Sequence, residues 1–322
     1  MQNKVVIFGR NTKKVEEILL DRGVLEYIVC QDFDDCLSVC KSVYERSEEI
    51  VVLCNNDQID SFVEKLKTQE DNLSLINDQA VKMERQTIFK KHFFVPIEGD
   101  FEKLLDQILP HREFYVSAIF GKSGTFLKEK LEQLKAVNGE NFEFRIVEKT
   151  NFVHIVYHTS QIEESVFEGG VYSRKNESLA QRIVDVLGDK SVSIAEYMTG
   201  GALTAKVAKF SKKNIRSAEV FFDESGFEKI GISKLYLEQN DMVSKETVFD
   251  MAKNLLRNNA SDLAIAVTGF DCDAGRSFVA IGNKGEIHVY SSVFYGARHE
   301  IVENVTDFAL FKLVCFLKEK YQ

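Results

Sequence analysis

The stretch Val192-Ser-Ile-Ala-Glu-Tyr-Met-Thr-Gly-Gly-Ala-Leu-Thr-Ala-Lys-Val-Ala-Lys-Phe210 passes from a β-like run to a helix-forming run through two consecutive glycines. It reads as a strand around Val192 to Ala195, a tight turn, and a helix from about Ala202 to Phe210. Glycines at such a turn let the backbone approach a ligand closely. The start of the next helix aims N–H groups and the positive end of its dipole at the same spot, which suits a phosphate or carboxylate. A tight turn that needs φ > 0 and binds nothing uses the same residues, so spacing alone leaves both readings open.

Outward from this turn the α/β pattern continues. Downstream, Ser244 is placed to cap a helix, and the apolar run Leu263 to Val267 reads as a buried strand. Ser277 to Ile281 and Glu286 to Tyr290 form a hairpin turning at Asn283-Lys284-Gly285, and Ile301, Val305 and Phe308 recur at helical spacing. Upstream, Asn176 is placed to cap a helix running to Leu187. Before it, strands are expected at Tyr115 to Phe120, Phe142 to Val147 and Phe152 to Tyr157, with a helix at Phe126 to Leu134. Residues 1–110 alternate strand candidates (Lys4 to Phe8, Tyr27 to Cys30, Ile50 to Cys54, His92 to Val95) with amphipathic segments, the pattern of a mainly parallel sheet covered on both faces. Pro110 marks the end of the helix Phe101 to Leu109.

Composition bounds the function. A chain of 322 residues with 44% apolar content is long enough for two or three globular domains. Lys and Arg number 41 against 50 Asp and Glu, a net charge of −9, which argues against direct nucleic-acid binding. The longest apolar runs fall far short of the roughly 20 residues of a spanning helix, and the N-terminus lacks the features of an export signal, so a cytoplasmic location is expected. The cysteines at 30, 36, 40, 54, 272 and 315 form no CxxC pair, and packing as small hydrophobes is the simpler reading for them.

Several tempting motifs carry little chemistry. Gly121-Lys122-Ser123 imitates the end of a P-loop, but Val116 stands where its first glycine belongs. His154 and His158 would share one strand face with no third ligand, and are read as exposed side chains. Asp32, Asp34 and Asp35 are explained by their place at a helix start. Stronger are Thr268-Gly269, where a buried strand ends, and Arg298 near a helix start, which could clamp an anion bidentately or stand solvated at the surface.

These last motifs carry a resemblance. Ala195-Glu196-Tyr197-Met198-Thr199-Gly200-Gly201 resembles the A-E-S-C-T-G-G pattern of the CinA (competence/damage-inducible protein A) family, whose C-terminal domain is related to nicotinamide-nucleotide amidohydrolases. Met242 to Ala252 resembles the family's A-V-S-x-E-x-x-x-x-M-A. Ala266-Val-Thr-Gly-Phe270 resembles A-V-T-G-I, and Phe294-Tyr-Gly-Ala-Arg298 resembles F-x-G-D-R. More weakly, Phe93 to Pro110 resembles the tract that closes the family's N-terminal domain. The resemblance implies an α/β chain in three parts: a molybdopterin-binding-like doubly wound sheet over 1–110, a small α+β connecting domain over 111–173, and the C-terminal domain over 174–322. It also implies a homodimer, and the retained motifs fit a nicotinamide-type nucleotide or other small anion as ligand; no cofactor is expected, and no metal, since the paired carboxylates that would hold one are absent.

The departures bear on the chemistry. The family's nucleophilic serine is Tyr197 here, and its tyrosine and lysine fall on Phe221 and Gly226. The aspartate of G-D-R is Ala297. The N-terminal T-G-G-x-G-P-T-x-D-D signature, part of a domain associated with ADP-ribose pyrophosphatase activity, is replaced by Cys54-Asn-Asn-Asp-Gln-Ile-Asp60. Losing a nucleophile costs on the order of 10⁶ in turnover. The leading expectation is a CinA-like protein that has lost both reactions and keeps nucleotide binding, through Glu196, Tyr197, Thr199, Gly200, Gly201, Thr268, Gly269 and Arg298, or a scaffold role. The alternative is an active nicotinamide mononucleotide deamidase with a rearranged site, using Thr199 or Cys272 as nucleophile. The family name alone suggests a third, an assembly role in DNA uptake or repair.

Overall fold

The computed structural model describes residues 4–9, 12–24, 27–46, 49–66, 71–76, 80–85, 90–97, 101–109, 113–138, 142–148, 150–158, 161–270 and 274–321. The first elements are β1 (Lys4–Phe8), α1 (Lys13–Asp21), β2 (Tyr27–Cys30), α2 (Phe33–Arg46), β3 (Glu49–Cys54) and α3 (Asn56–Leu66). Next come β4 (Asp71–Ile76), β5 (Ala80–Arg85), β6 (Lys90–Pro96) and α4 (Phe101–Ile108). The expected stop at Pro110 lies outside the described residues. They join in one sheet of order β2-β1-β3-β6-β5-β4. Strands β2, β1, β3 and β6 are parallel, while β5 and β4 add an antiparallel hairpin that the apolar pattern did not reveal. Alternation sends Val6, Ile50 and Val52 to one face with α2 and α3, and Val5, Ile7, Val51 and Leu53 to the other with α1 and α4.

The next elements are β7 (Tyr115–Phe120), α5 (Gly124–Asn138), β8 (Phe144–Glu148), β9 (Phe152–Tyr157) and β10 (Val171–Ser173). Their sheet has the order β10-β7-β9-β8, with β10 antiparallel to β7. Two expectations need correction here. His154 is buried, not exposed: its Nδ1 lies 2.7 Å from Asn176 Oδ1 and its Nε2 2.9 Å from the Tyr172 hydroxyl. Asn176 therefore does not cap the following helix. Ser178 does, in a reciprocal capping box with Gln181, because Ser-x-x-Gln satisfies two orphan N–H groups at once.

The remaining elements are α6 (Leu179–Leu187), β11 (Val192–Tyr197), α7 (Ala202–Ala208), β12 (Ile215–Phe221), α8 (Glu224–Lys229), α9 (Lys234–Asn240) and α10 (Lys245–Asn259). They end with β13 (Leu263–Gly269), β14 (Ala274–Gly282), β15 (Ile287–Tyr295) and α11 (Arg298–Tyr321). The sheet order is β12-β11-β13-β14-β15, parallel over the first three strands and antiparallel thereafter. Every residue of β13 is buried. Leu263, Ile265 and Val267 face a core shared with α6, α7 and α11, while Ala264 and Ala266 face α10 with its Met251 and Leu255. Small side chains on that face let a helix bearing large ones lie close to the sheet. Ser244 caps α10 as expected, accepting from the Thr247 N–H at 3.0 Å. The hairpin turns where Asn283 Oδ1 accepts from the N–H groups of Gly285 and Glu286.

The chain divides into two compact units, one of residues 1–116, 128–147 and 155–162, the other of 117–127, 148–154 and 163–322. Among the described residues, no helix is long and apolar enough to cross a membrane.

Candidate functional site

The parallel strands bring Phe221 beside Tyr197, and Val267 beside Glu196, so the carboxyl ends of β12, β11 and β13 share one edge. That edge is where ligands gather in open α/β sheets. The turn after β11 is tightly wound: Met198, Gly200 and Gly201 have φ of 90°, 61° and 91°. Such values suit the glycines but strain Met198, and strain of this kind clusters at functional sites.

The helix start beyond this turn is filled from within. Glu196 is fully buried, and its Oε2 accepts from the Thr199 hydroxyl at 2.7 Å and from the N–H groups of Gly201 and Leu203 at 3.1 Å each. Its Oε1 accepts from the Thr204 N–H at 2.8 Å and the Thr204 hydroxyl at 2.6 Å. The N–H of Ala202 goes to the Thr199 carbonyl at 3.1 Å. The expectation of free donors for an outside anion is thus corrected: a carboxylate does sit at the start of α7, and it is the chain's own. Thr199 is 3% exposed and bound to Glu196, a poor position from which to attack a substrate.

On the α10 face of the same edge, three rings meet. Tyr197 and Phe221 stack with centroids 6.0 Å apart and planes 26° apart. Phe227, on α8, lies 5.1 Å from Tyr197 and 4.7 Å from Phe221. Gly226 belongs to the same packing, since a Cβ added there would lie 2.1 Å from Phe221 Cβ. A lysine cannot stand at 226 beside any large residue at 221 unless the backbone moves. Phe221 thus touches both Tyr197 and Gly226, and two rings and a glycine stand where the family resemblance leads one to expect a nucleophile, a proton donor and an activating amine.

The other singled-out residues serve the packing. Thr268 is buried and donates to the Met242 carbonyl at 2.7 Å, which ties β13 to the segment before α10. Gly269 leaves room for Met198, whose Sδ would lie 2.5 Å from an added Cβ. Arg298 stands exposed on the first turn of α11. At position 297, Ala297 donates its N–H to the Glu300 carboxylate at 2.9 Å. Cys272 lies outside the described residues.

Elsewhere, the simpler readings of the motifs fit the geometry. Asp32 accepts from the N–H groups of Asp34 and Asp35, capping α2. Ser123 caps α5 by accepting from the Phe126 N–H. After β3, the Asn55 N–H donates to Gln58 at 3.2 Å, while Asp57 and Asp60 are exposed on α3. Among the described residues, no three His, Cys, Asp or Glu side chains stand together as a metal site would need. Two contributors escaped the sequence reading: Phe227, an isolated aromatic in a short helix, and Met198, whose positive φ has no signature in its residue type.

Comparison with known proteins agrees on the C-terminal region. Residues 176–317 match the CinA C-terminal domain family. A competence-damage inducible relative from Finegoldia magna is 26% identical over 156 residues, 46% of this chain and 38% of its own length. A CinA-like protein from Endomicrobium trichonymphae is 24% identical over 224 residues, 60% of this chain and 52% of its own. The matched stretches thus span about half or less of these curated relatives. A solved CinA-superfamily protein from Klebsiella pneumoniae, 22% identical, aligns over 44% of this chain and 96% of its own with a TM-score of 0.42. Residues 176–317 are thus similar to the CinA C-terminal domain, and the likeness to CinA proteins rests on that region.

Proposed function

We propose that this CinA C-terminal domain is a non-hydrolytic module whose ancestral pocket is closed by aromatic packing, so that it serves as a scaffold. The observation that carries the reading is the Tyr197, Phe221 and Phe227 cluster, with Gly226 pressed against Phe221. Amide hydrolysis by a serine-type route needs a nucleophile, a group to activate it and donors for the oxyanion. Phe221 and Gly226 ionise over no range of pH, and the Tyr197 ring packs against two phenylalanines. The N–H groups of α7, the natural oxyanion or phosphate seat at this turn, already serve Glu196. The homodimer and the lost N-terminal pyrophosphatase chemistry implied by the family resemblance belong to the same proposal.

A Tyr197→Ser variant tests it. Removing a ring from the cluster is expected to cost about 2 kcal/mol in urea denaturation, and the variant, still lacking the lysine and tyrosine, releases no ammonium from nicotinamide mononucleotide. A variant that hydrolyses the nucleotide with undiminished stability would reveal an open site and defeat the reading.

A further inference from the structure

Away from the closed pocket, on the same α10 face of the sheet, a cleft of about 420 Å³ is lined by Lys245, Arg276, Phe278, Ser291, Ser292 and Val293. Strand register explains the grouping. Arg276 pairs with Val293 and Phe278 with Ser291, and residues two apart on a strand share a face. Phe278 is 8% exposed and belongs to the core under α10, so it forms the floor and the polar groups the rim. Lys245 is the first residue of α10, which brings the positive end of a 15-residue helix to the same place.

The charge here is one-sided. Among the described residues, no acidic side chain lines the cleft, and neither Lys245 nor Arg276 has a carboxylate within ion-pair distance. In a chain of net charge −9, two cations converging with no acid among the described lining residues stand out against the overall surface. An arginine fork, an ammonium group and the Ser291 hydroxyl are a donor set that a phosphate dianion takes up, while the Ser292 hydroxyl is engaged by Ser277 on the opposite face. The volume lies within the range of about 300–1,000 Å³ typical of small-ligand sites, and too few cations line it for an extended polyanion.

We infer that the cleft between the start of α10 and the β14–β15 hairpin is a seat for a phosphate dianion, borne by a small phosphate ester, with Arg276 and Lys245 as its charged ligands. It is separate from the Gly200–Gly201 turn and does not depend on whether the domain hydrolyses anything.

The test is calorimetric titration of the full chain at low ionic strength with inorganic phosphate, ribose 5-phosphate and ribose. The wild type is expected to bind both phosphates saturably and ribose not at all. Arg276→Gln and Lys245→Gln, on different elements and both exposed, should each weaken binding by about tenfold or more. Lys284→Gln, which removes an equal charge at the hairpin turn, should leave binding unchanged. Tighter binding of the ester than of the free ion supports a phosphate ester as ligand, and equal affinity supports the seat but assigns it to free phosphate. Absence of saturable binding in a wild type shown folded by circular dichroism would overturn the inference. So would equal affinity in the wild type and both glutamine variants.

Discussion

At the scale of single residues, Glu196 organises the turn more than either glycine does. A buried carboxylate that accepts from three N–H groups and two hydroxyls holds the end of β11 to the start of α7. Glu196→Ala would leave these donors without an acceptor, a loss of about 3 kcal/mol or more. Urea denaturation should show it, with Glu196→Gln less affected because one carbonyl oxygen remains. An unchanged midpoint for the alanine variant would refute this role. The sequence made Tyr197, Phe221 and Gly226 legible as departures from a motif, and their mutual packing was not. Contact between the ends of two parallel strands depends on register, and Phe227 reaches the pair only because α8 follows β12 directly. The self-capping by Glu196 was hidden for a related reason. A glutamate at a strand end does not announce that its carboxylate turns back to serve the helix five residues later.

At the scale of elements, strands with continuous apolar runs were legible and several mixed ones were not. Leu263 to Val267 reads unambiguously, whereas β4 and β5 (Asp-Asn-Leu-Ser-Leu-Ile and Ala-Val-Lys-Met-Glu-Arg) and β12 (Ile-Arg-Ser-Ala-Glu-Val-Phe) carry polar residues among the apolar ones. Strands β4 and β12 are edges of their sheets, where one side goes unpaired and polar residues are tolerated. The start of the central pair β11 and β13 is fastened by Asp262, whose carboxylate accepts from the N–H and hydroxyl of Ser191 at 2.7 Å each. The Ser191 hydrogen bonds hold its carboxyl below the ordinary 3.8, with Lys190 adding to the effect. The sign follows from linkage: a depressed carboxyl contributes its full stability above its unfolded value and loses it as pH falls through the folded one. The stability difference between wild type and Asp262→Asn should therefore be constant near neutrality and shrink below about pH 4. A difference that grows on acidification would contradict this assignment.

At the scale of the molecule, the two units differ in how they use reactive side chains. In the first, Cys30, Cys36, Cys40 and Cys54 lie in one apolar cluster beneath the sheet. Burial pushes the thiols of Cys30 and Cys54 up to about 12, and the hydrogen bond with Cys40, together with burial, raises that of Cys36. At pH 8 the thiolate fraction of Cys30 or Cys54 is on the order of 10⁻⁴. Peptide mapping after a brief exposure to a thiol reagent should find all four unlabelled in the native protein and labelled in guanidinium. Rapid native labelling would show an open core. In the second unit, the edge of the sheet where chemistry is expected is occupied by the chain itself, by a carboxylate at the helix start and by rings beside it.

Product analysis of the wild-type protein incubated with nicotinamide mononucleotide tests that closure most directly. If the proposed closure holds, ammonium and the nicotinic acid form should stay at the level of a heat-inactivated control, because Phe221 and Gly226 carry no ionisable group and the Tyr197 ring packs against Phe221 and Phe227. Sustained release above that control, growing in proportion to protein concentration, would contradict the account and place a working nucleophile elsewhere in the domain.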